Sequence, residues 1–299
     1  MVIYTVFVLF SFWGLYRTSE ERHVIPRRER VGLKQLISIF RHREIWPGIL
    51  CWGLAAISYG FMFTSSVYYA QYILARNRVD LATMGAAAVG SAVSGTISTY
   101  MGFVSVGALI AMAFLMPVFL RVFRKGYRAM LISQVLTVFF YLILYFTGRM
   151  DFWYCCVLSF LAAAVGSMVN ALVNVLVNDI IDFILLKKGR QFNGVVSSVK
   201  TFAQKCGITV TNSGVLAILA VCSFNAELGP LGQPEQVAAG INAVRFLIPA
   251  IISALIALLM VFYPMKKHFA EIEKMKAQMW LSLLLSRAGE GYRQSQTFH

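Results

Sequence analysis

The sequence predicts an all-α, polytopic helical membrane protein, and both its composition and its long apolar runs lead to that fold class. Hydrophobic residues make up 59% of the 299 residues and charged residues 13%, whereas soluble domains carry about 25% charged residues. The mean hydropathy is +0.69. The apolar residues are too many for a soluble core and the charged ones too few for a soluble surface. A large soluble catalytic domain is therefore excluded, and no enzyme is predicted.

Seven apolar runs are predicted to form about seven transmembrane helices. A helical span needs about 20 residues, and all but the first run are close to that length or longer. The first run has about 15 residues, which rise only about 23 Å as a helix. We therefore expect a truncated transmembrane helix at 1–16. The runs are 2–16, 46–74, 97–120, 129–147, 152–178, 195–222 and 240–263.

The basic residues favour one side of the membrane. Four alternate connections hold 21 of the 27 Lys and Arg residues, and the opposite connections hold three. Because cytoplasmic loops collect basic residues, this pattern predicts a multi-pass protein of the cell membrane (plasma or inner), with the N-terminus outside and the C-terminus cytoplasmic. The net charge of +14 therefore reflects topology, and no nucleic-acid partner is predicted. The basic connections are 17–45, 121–128, 187–190 and the segment after 264.

Two of these basic connections have amphipathic patterns. Residues 17–45 mix Lys and Arg with Leu and Ile at helical spacing, so they are predicted to be a basic amphipathic cytoplasmic loop that lies partly along the membrane surface. Residues 265–299 are predicted to be a cytoplasmic tail with a similar pattern. The stretch 79–96 is rich in Gly, Ala and Ser. It forms a loop, a re-entrant turn or an extension of the next helix.

Lys205 lies near the middle of the sixth apolar run, where a Lys costs about 2.5 to 3.5 kcal/mol on insertion scales. Polar residues at intervals of four form a stripe on its helix face, which indicates a wet or paired face. We expect Lys205 and Thr201 to face a substrate or cation pathway. The alternative is a Lys that extends to the membrane surface, which fits Lys200 better. The stripe consists of Ser197, Thr201, Lys205, Thr209 and Ser213.

The fifth run carries a second stripe, formed by Asn170, Asn174 and Asn178. Three amides on one helix face would lack hydrogen-bond partners in lipid, so they should face the bundle interior or a cavity. Hydrogen bonds between helices and contact with substrate remain equal alternatives for Asn170 and Asn174.

A charged cluster is predicted at the cytoplasmic end of the same helix. Asp179 and Asp182 lie three residues apart, within reach of Lys187, Lys188 or Arg190 across a short turn. Ion pairs among Asp179, Asp182, Lys187 and Arg190 could close a cytoplasmic gate. The alternative, charges solvated in a loop, suits Asp182 better than Asp179.

The outer half of the second run carries Tyr68, Gln71 and Tyr72 on one helix face. Aromatic rings beside amides and hydroxyls suit sugars, which stack on ring faces and form hydrogen bonds. Tyrosines at a membrane surface are also common without any ligand. These residues are therefore candidate substrate contacts.

Motifs of other chemistries are absent from the sequence. It contains no phosphate-binding loop, no zinc-protease motif and no serine-hydrolase motif, and its cysteines do not have metal-ligand spacing. The sequence predicts no catalytic residue, no metal site and no resident cofactor.

The segment from residue 178 to 207 resembles the inner loop and penultimate helix of the glycoside-pentoside-hexuronide:cation symporters, the melibiose permease group of the major facilitator superfamily. That family shows Asp-x-x-Asp-Tyr, a loop with Lys and Gly, and a helix with a Lys before a Gly. Weaker likenesses at 67–74, 121–128 and 246–272 keep the same order. The matching residues are Asp179, Asp182, Phe183, Lys187, Gly189, Gly194, Lys205 and Gly207.

The resemblance implies a twelve-helix transporter of which this chain is a C-terminal portion. Residues 1–16 would be the last helix of the N-terminal half, and residues 46–264 the six-helix C-terminal half. Such a transporter moves a small sugar together with a coupling cation, H⁺, Na⁺ or Li⁺. A lone half cannot rock about a central site, so the expected partners are the lipid bilayer, the sugar and a missing N-terminal half.

The resemblance also implies roles for single residues. Lys205 would correspond to the family's Lys near the binding cavity, and Asp179 and Asp182 to the charge network of the inward gate. This sequence departs from the family at Leu185, Gln191 and Asn193. These departures remove charges, so the inner network is expected to be thin.

Two other interpretations remain open. Seven crossings with the N-terminus outside is also the topology of a seven-helix receptor, although the first span is short and a retinal-binding Lys would belong in the seventh span rather than the sixth. The chain could also be an inert, truncated fragment.

Overall fold

The computed structural model of the protein describes residues 2–18, 41–78, 83–189, 192–229 and 232–278. The chain divides into two units, residues 1–39 and 40–299. In the first unit, residues 2–18 form one helix. The predicted loop 17–45 falls largely outside the described residues, as does the tail beyond residue 278.

The described residues form long helices and contain no β-strand. An all-α polytopic membrane protein is thus confirmed. The helices are α1 (Val2–Thr18), α2 (Trp46–Tyr69, with a π-helical turn Ala70–Leu74 and a last turn Ala75–Arg78), α3 (Ala86–Ile110, a π-helical turn Ala111–Leu115, then Met116–Phe123), α4 (Gly126–Thr147), α5 (Phe152–Lys188), α6 (Asn193–Val221) and α7 (Glu235–Asn242, a π-helical turn Ala243–Leu247, then Ile248–Val261).

Five helices of the described part, α2 to α5 and α7, are long and apolar enough to cross a membrane. They correspond to five of the seven predicted spans. The other two predicted spans are also helical: α1 has 17 residues and α6 has 29. The helix α6 is more polar than the five because of its Lys, Ser, Thr and Asn residues.

The stretch 79–96 is an extension of the next helix from residue 86 onward, one of the three alternatives that the sequence left open. Helix α3 begins at Ala86, eleven residues before the apolar run at 97. Small residues lowered the hydropathy of this first part without interrupting the helix, since Ala is the strongest helix former. Residues 79–82 lie outside the described part of the chain.

Helix α5 lies at the centre of the second unit, where it packs against α3 and α4 and contacts α2. Its first turn is capped by Asp151, whose Oδ2 accepts hydrogen bonds from the backbone N–H groups of Trp153 at 3.0 Å and Tyr154 at 3.3 Å. Gly189, with a φ of +66°, ends the helix. The 37 residues of α5 are thereby defined at both ends by local sequence.

Helix α6 lies at the edge of the bundle and packs mainly on α2. The contact is made through small residues: a Cβ atom at Gly207 would lie only 2.7 Å from the carbonyl oxygen of Gly53. Farther along, the Oγ1 of Thr211 donates to the carbonyl oxygen of Ile57 over 3.2 Å. Small residues let transmembrane helices approach closely, so one side of α6 is buried against α2 and the other is left open.

The first part of the predicted tail folds back on the bundle. Residues Pro264–His268 form a 3-10 turn, and a helix continues to residue 278. The ring of Phe269 stacks on Tyr127 of α4, with centroids 5.6 Å apart, and Ile272 is buried. The described start of the tail is therefore packed onto the ends of α4 and α5.

Candidate functional site

An open polar face runs along α5 and α6. We define the open polar face as Asn170, Asn174 and Asn178 of α5 with the α6 stripe Ser197, Thr201, Lys205, Thr209 and Ser213. Asn170 is partly buried, and the other seven residues are exposed. Both predicted stripes thus lie on neighbouring helices of one bundle.

The α6 stripe is open because the opposite side of α6 meets α2. Gly207, Thr211 and Val215 are buried, and Lys205 lies outside this contact. Within the described residues, the Lys205 ammonium group has no hydrogen bond or ion pair. The hydroxyls of Thr201 and Thr209 donate to backbone carbonyls one turn earlier, at 2.9 and 3.0 Å. The structure therefore places the Lys205 charge on the exposed side of α6, without an ionic partner among the described residues.

The two stripes are joined by Lys200 rather than by Lys205. The Nζ of Lys200 donates to Oδ1 of Asn174, and the Nδ2 of Asn174 donates to the carbonyl oxygen of Asn170 at 3.3 Å. The sequence assigned Lys200 to the membrane surface, because spacing along one helix does not show which residue of the next helix lies opposite. Lys200 is thus part of the candidate site that sequence reasoning missed.

The candidate sugar-contact residues Tyr68, Gln71 and Tyr72 do lie together. The two Tyr rings stack with centroids 6.5 Å apart, and Nε2 of Gln71 lies 3.4 Å from the Tyr72 hydroxyl. Phe224, just beyond α6, meets both rings edge-on at 6.0 and 5.1 Å. Tyr72 is only 7% exposed, so its ring is held mainly by protein.

The charge cluster that the sequence assigned to the cytoplasmic end of α5 has a different pairing from the predicted one. Asp182 forms an ion pair with Lys276 of the tail, whereas the ammonium group of Lys187 lies 5.9 Å from the Phe183 ring centroid. Lys187 follows Phe183 by one helical turn on the same helix, so its stem reaches back along α5. Arg190 lies outside the described residues. Lys276 lies 94 positions after Asp182 in the chain, so local spacing could not predict this ion pair.

Asp179 is enclosed at the same end of the bundle. Its Oδ2 is buried and has no hydrogen-bond partner among the described residues. It lies against the start of α4, where a Cβ at Gly126 would be 3.7 Å from that oxygen. This oxygen is thus a buried acceptor without a donor among the described residues, one helical turn from the Asp182–Lys276 pair.

Arg245 is a buried cation within α7 that sequence reasoning left unassigned. It is 0% exposed and lies in the π-helical turn Ala243–Leu247. Its Nη2 donates to the Tyr100 hydroxyl at 3.2 Å, while Nε and Nη1 have no partner among the described residues. The Phe246 and Tyr141 rings lie 4.9 and 6.0 Å away. The sequence contained a signal for this site, a lone Arg inside an apolar run, because charges within the membrane mark functional sites.

The part of the chain that the structure describes contains no cluster of His, Cys, Asp and Glu able to hold a metal ion. The open polar face instead consists of amides, hydroxyls and the ammonium group of Lys205. Such groups form reversible hydrogen bonds with a polar solute, which is the chemistry of binding and release.

Comparison with the models of protein families gives a match that covers most of the chain. No curated protein matches the chain. The model of the family described as MFS/sugar transport protein matches residues 1–267, which include the five apolar helices up to the end of α7 and the whole open polar face. The protein is a membrane transporter and belongs to the MFS/sugar transport protein family of the major facilitator superfamily.

Proposed function

We propose that the protein is a sugar:cation symporter of the glycoside-pentoside-hexuronide type, in which the open polar face lines the solute pathway. The observation that carries this proposal is the exposure of Lys205 and Thr201 beside Asn170 and Asn174 on two neighbouring helices. A Lys near the middle of a span costs about 2.5 to 3.5 kcal/mol in lipid, and amides that face lipid add to that cost. A water-filled pathway removes this cost.

The proposed mechanism is alternating access between two helical bundles. The bundle described here would supply one wall, and a second bundle, expected as the N-terminal half of the transporter, would face it. Rocking of the two bundles would open the site to one side of the membrane at a time. Asp179, Asp182 and Lys187, with the tail residue Lys276, would form the cytoplasmic gate.

The coupling cation is proposed to be H⁺, Na⁺ or Li⁺, as in the symporters that the sequence resembles. The open polar face contains Asn, Ser, Thr and Lys but no carboxylate. Lys205 would repel a cation at this face and favour the hydroxyls or the acidic group of a sugar. Carboxylates that bind the cation are therefore expected on the opposing bundle.

The test is uptake of a labelled galactoside, xyloside and glucuronide into cells that express the chain with and without an N-terminal half. The proposal predicts uptake of at least one sugar only when both halves are present and an H⁺, Na⁺ or Li⁺ gradient is imposed. Lys205→Ala should reduce this uptake at least tenfold, since a lost charge-assisted hydrogen bond costs about 1.5 to 3 kcal/mol.

The matched control is Lys274→Ala, which changes an exposed Lys of the tail helix. Uptake should be unchanged in this variant. Uptake by the chain alone would contradict the need for a second bundle. If none of the three sugars is taken up, or if Lys205→Ala transports as the unmodified protein does, the proposed function is wrong.

A further inference from the structure

A second polar site lies at the end of α2, near Arg76. A cavity of about 460 Å³ opens there, where the end of α2, the connection between α4 and α5, and the start of α7 meet. Ligand sites have volumes of about 300 to 1,000 Å³. The polar and aromatic side chains that line this cavity are Tyr72, Arg76, Asn77, Arg149, Gln233 and Glu235.

The cavity carries two arginines that have no anionic partner among the described residues. Neither Arg76 nor Arg149 forms an ion pair with a described residue, and the Glu235 carboxylate likewise has no ion pair there. The three charges give the cavity a net charge of about +1. Two guanidinium groups that are free to pair attract an anionic group of a ligand.

The walls of the cavity are held in place by hydrogen bonds. The Nδ2 of Asn77 donates to the carbonyl oxygens of Arg149 at 2.8 Å and Met150 at 3.1 Å, so the end of α2 is tied to the α4–α5 connection. The Nε2 of Gln233 donates to two carbonyl oxygens of the α6–α7 connection, those of Asn225 and Gly229. A site that is already ordered loses less entropy when a ligand binds.

The lining determines the class of ligand. Guanidinium groups bind carboxylate or phosphate oxygens through paired hydrogen bonds. Glu235 accepts hydrogen bonds from hydroxyl groups and repels a second negative charge. The nearly buried Tyr72 ring, held edge-on by Phe224 at 5.1 Å, adds an apolar surface. The lining therefore suits a small monoanion that also carries hydroxyl groups.

We propose that this cavity binds a hydroxylated monoanion, with its carboxylate or phosphate group between Arg76 and Arg149 and its hydroxyl groups toward Glu235. The same chemistry occurs in a free sugar acid and in a glycerol-bearing phospholipid headgroup. This inference does not depend on sugar:cation symport, since binding at the cavity can be measured without transport.

The test is calorimetric titration of the full chain in phosphatidylcholine nanodiscs with glucuronate, and with glucose as the uncharged control. Glucuronate should bind, and glucose should bind at least tenfold more weakly. Arg76→Gln and Arg149→Gln should each weaken glucuronate binding about 10- to 100-fold, because each removes a charge-assisted hydrogen bond. Arg121→Gln, which changes an exposed arginine of α3 away from the cavity, should leave binding unchanged.

The variant Glu235→Gln separates the proposal from a loss of folding. The Gln carbonyl oxygen still accepts a hydrogen bond from a hydroxyl group, but the negative charge that repels the glucuronate anion is gone. Glucuronate binding should therefore become stronger, which a misfolded protein would not show. If glucuronate does not bind, the ligand can still be a phospholipid headgroup. In that case the protein should have a higher Tm in phosphatidylglycerol nanodiscs than in phosphatidylcholine nanodiscs, and Arg149→Gln should abolish this difference. Absence of both effects, or equal binding of glucose and glucuronate, would overturn the proposal.

Discussion

Gly207 lies where α6 and α2 approach closely, and Gly207→Ala should push these helices apart. The added Cβ would lie 2.7 Å from the Gly53 carbonyl oxygen and 2.8 Å from the Ala56 Cβ, whereas ordinary contacts begin at 3.4 Å. The backbone oxygen cannot rotate away, so a displacement of roughly 0.7 Å is required. Overpacking of this kind costs about 1 to 3 kcal/mol, while Gly→Ala in a helix gains about 1 kcal/mol.

Gly102→Ala provides the matched control for this substitution. Gly102 lies inside α3, and a Cβ there has open space around it. The Gly102→Ala variant should gain stability from the higher helix propensity of Ala, without a steric clash. We therefore expect the free energy of unfolding of Gly207→Ala to be about 1 to 3 kcal/mol below that of Gly102→Ala.

The assay is thermal unfolding of the purified variants in detergent, followed by the reaction of a fluorescent dye with cysteines that become exposed. Cys51, Cys155 and Cys156 are buried in the folded protein. Gly207→Ala should unfold at a lower temperature than Gly102→Ala, and at or below the temperature at which the unmodified protein unfolds. If Gly207→Ala is as stable as Gly102→Ala, α6 does not pack on α2 as described.

The remaining predictions concern two charged groups, the buried Arg245 and the ion pair between Asp182 and Lys276. Arg245→Met should leave the Tm unchanged or raise it, because it removes a buried charge whose Nε and Nη1 have no partner among the described residues. The same variant should lower uptake. A Tm several degrees lower would show that the Arg245 charge stabilises the fold. Lys276→Ala should lower the free energy of unfolding by no more than about 1 kcal/mol, because the Lys276 side chain is half exposed. It should also speed cleavage of the tail by trypsin. Lys274→Ala is the control, and equal cleavage rates in the two variants would contradict a tail held by Asp182.

Local sequence was sufficient to predict the apolar helices but not to predict all of their boundaries. Apolar runs longer than a bilayer is thick predict spans whatever their neighbours are, and five of these runs are the apolar helices of the structure. The beginning of α3 was harder to predict, because Gly90 and Gly95 favour flexibility while the surrounding Ala residues favour a helix. The sequence therefore allowed three interpretations of this stretch.

The faces of α5 and α6 were predictable, but the contacts between them were not. A repeat of four residues places Asn170 and Asn174 on one face of a helix whatever packs beside it. The pairing of Asn174 with Lys200 depends on the angle and register at which two helices cross, which no local pattern contains. The same reason explains why Lys276, far along the chain, was not predicted as the partner of Asp182.

The enclosure of Arg245 shows a further limit of sequence reasoning. Its hydroxyl partner, Tyr100, comes from α3, and the Tyr141 ring comes from α4. Each residue alone is ordinary in a membrane helix. Only the packing of three helices brings them around one guanidinium group.

The most direct test of the solute pathway is the access of water to adjacent positions of α6. Thr209 belongs to the open polar face, whereas Val210, at the same depth, is apolar and 53% exposed. Thr209→Cys and Val210→Cys, each with Cys206→Ser to remove the exposed native thiol, should be treated with a membrane-impermeant maleimide in membranes that transport sugar.

Cys at position 209 should react, because the thiol ionises in a water-filled pathway, and a transported sugar should slow this reaction. Cys at position 210 should react at least tenfold more slowly, because it faces lipid. Equal labelling of the two positions, or labelling of position 209 that no transported sugar slows, would contradict a solute pathway along the open polar face.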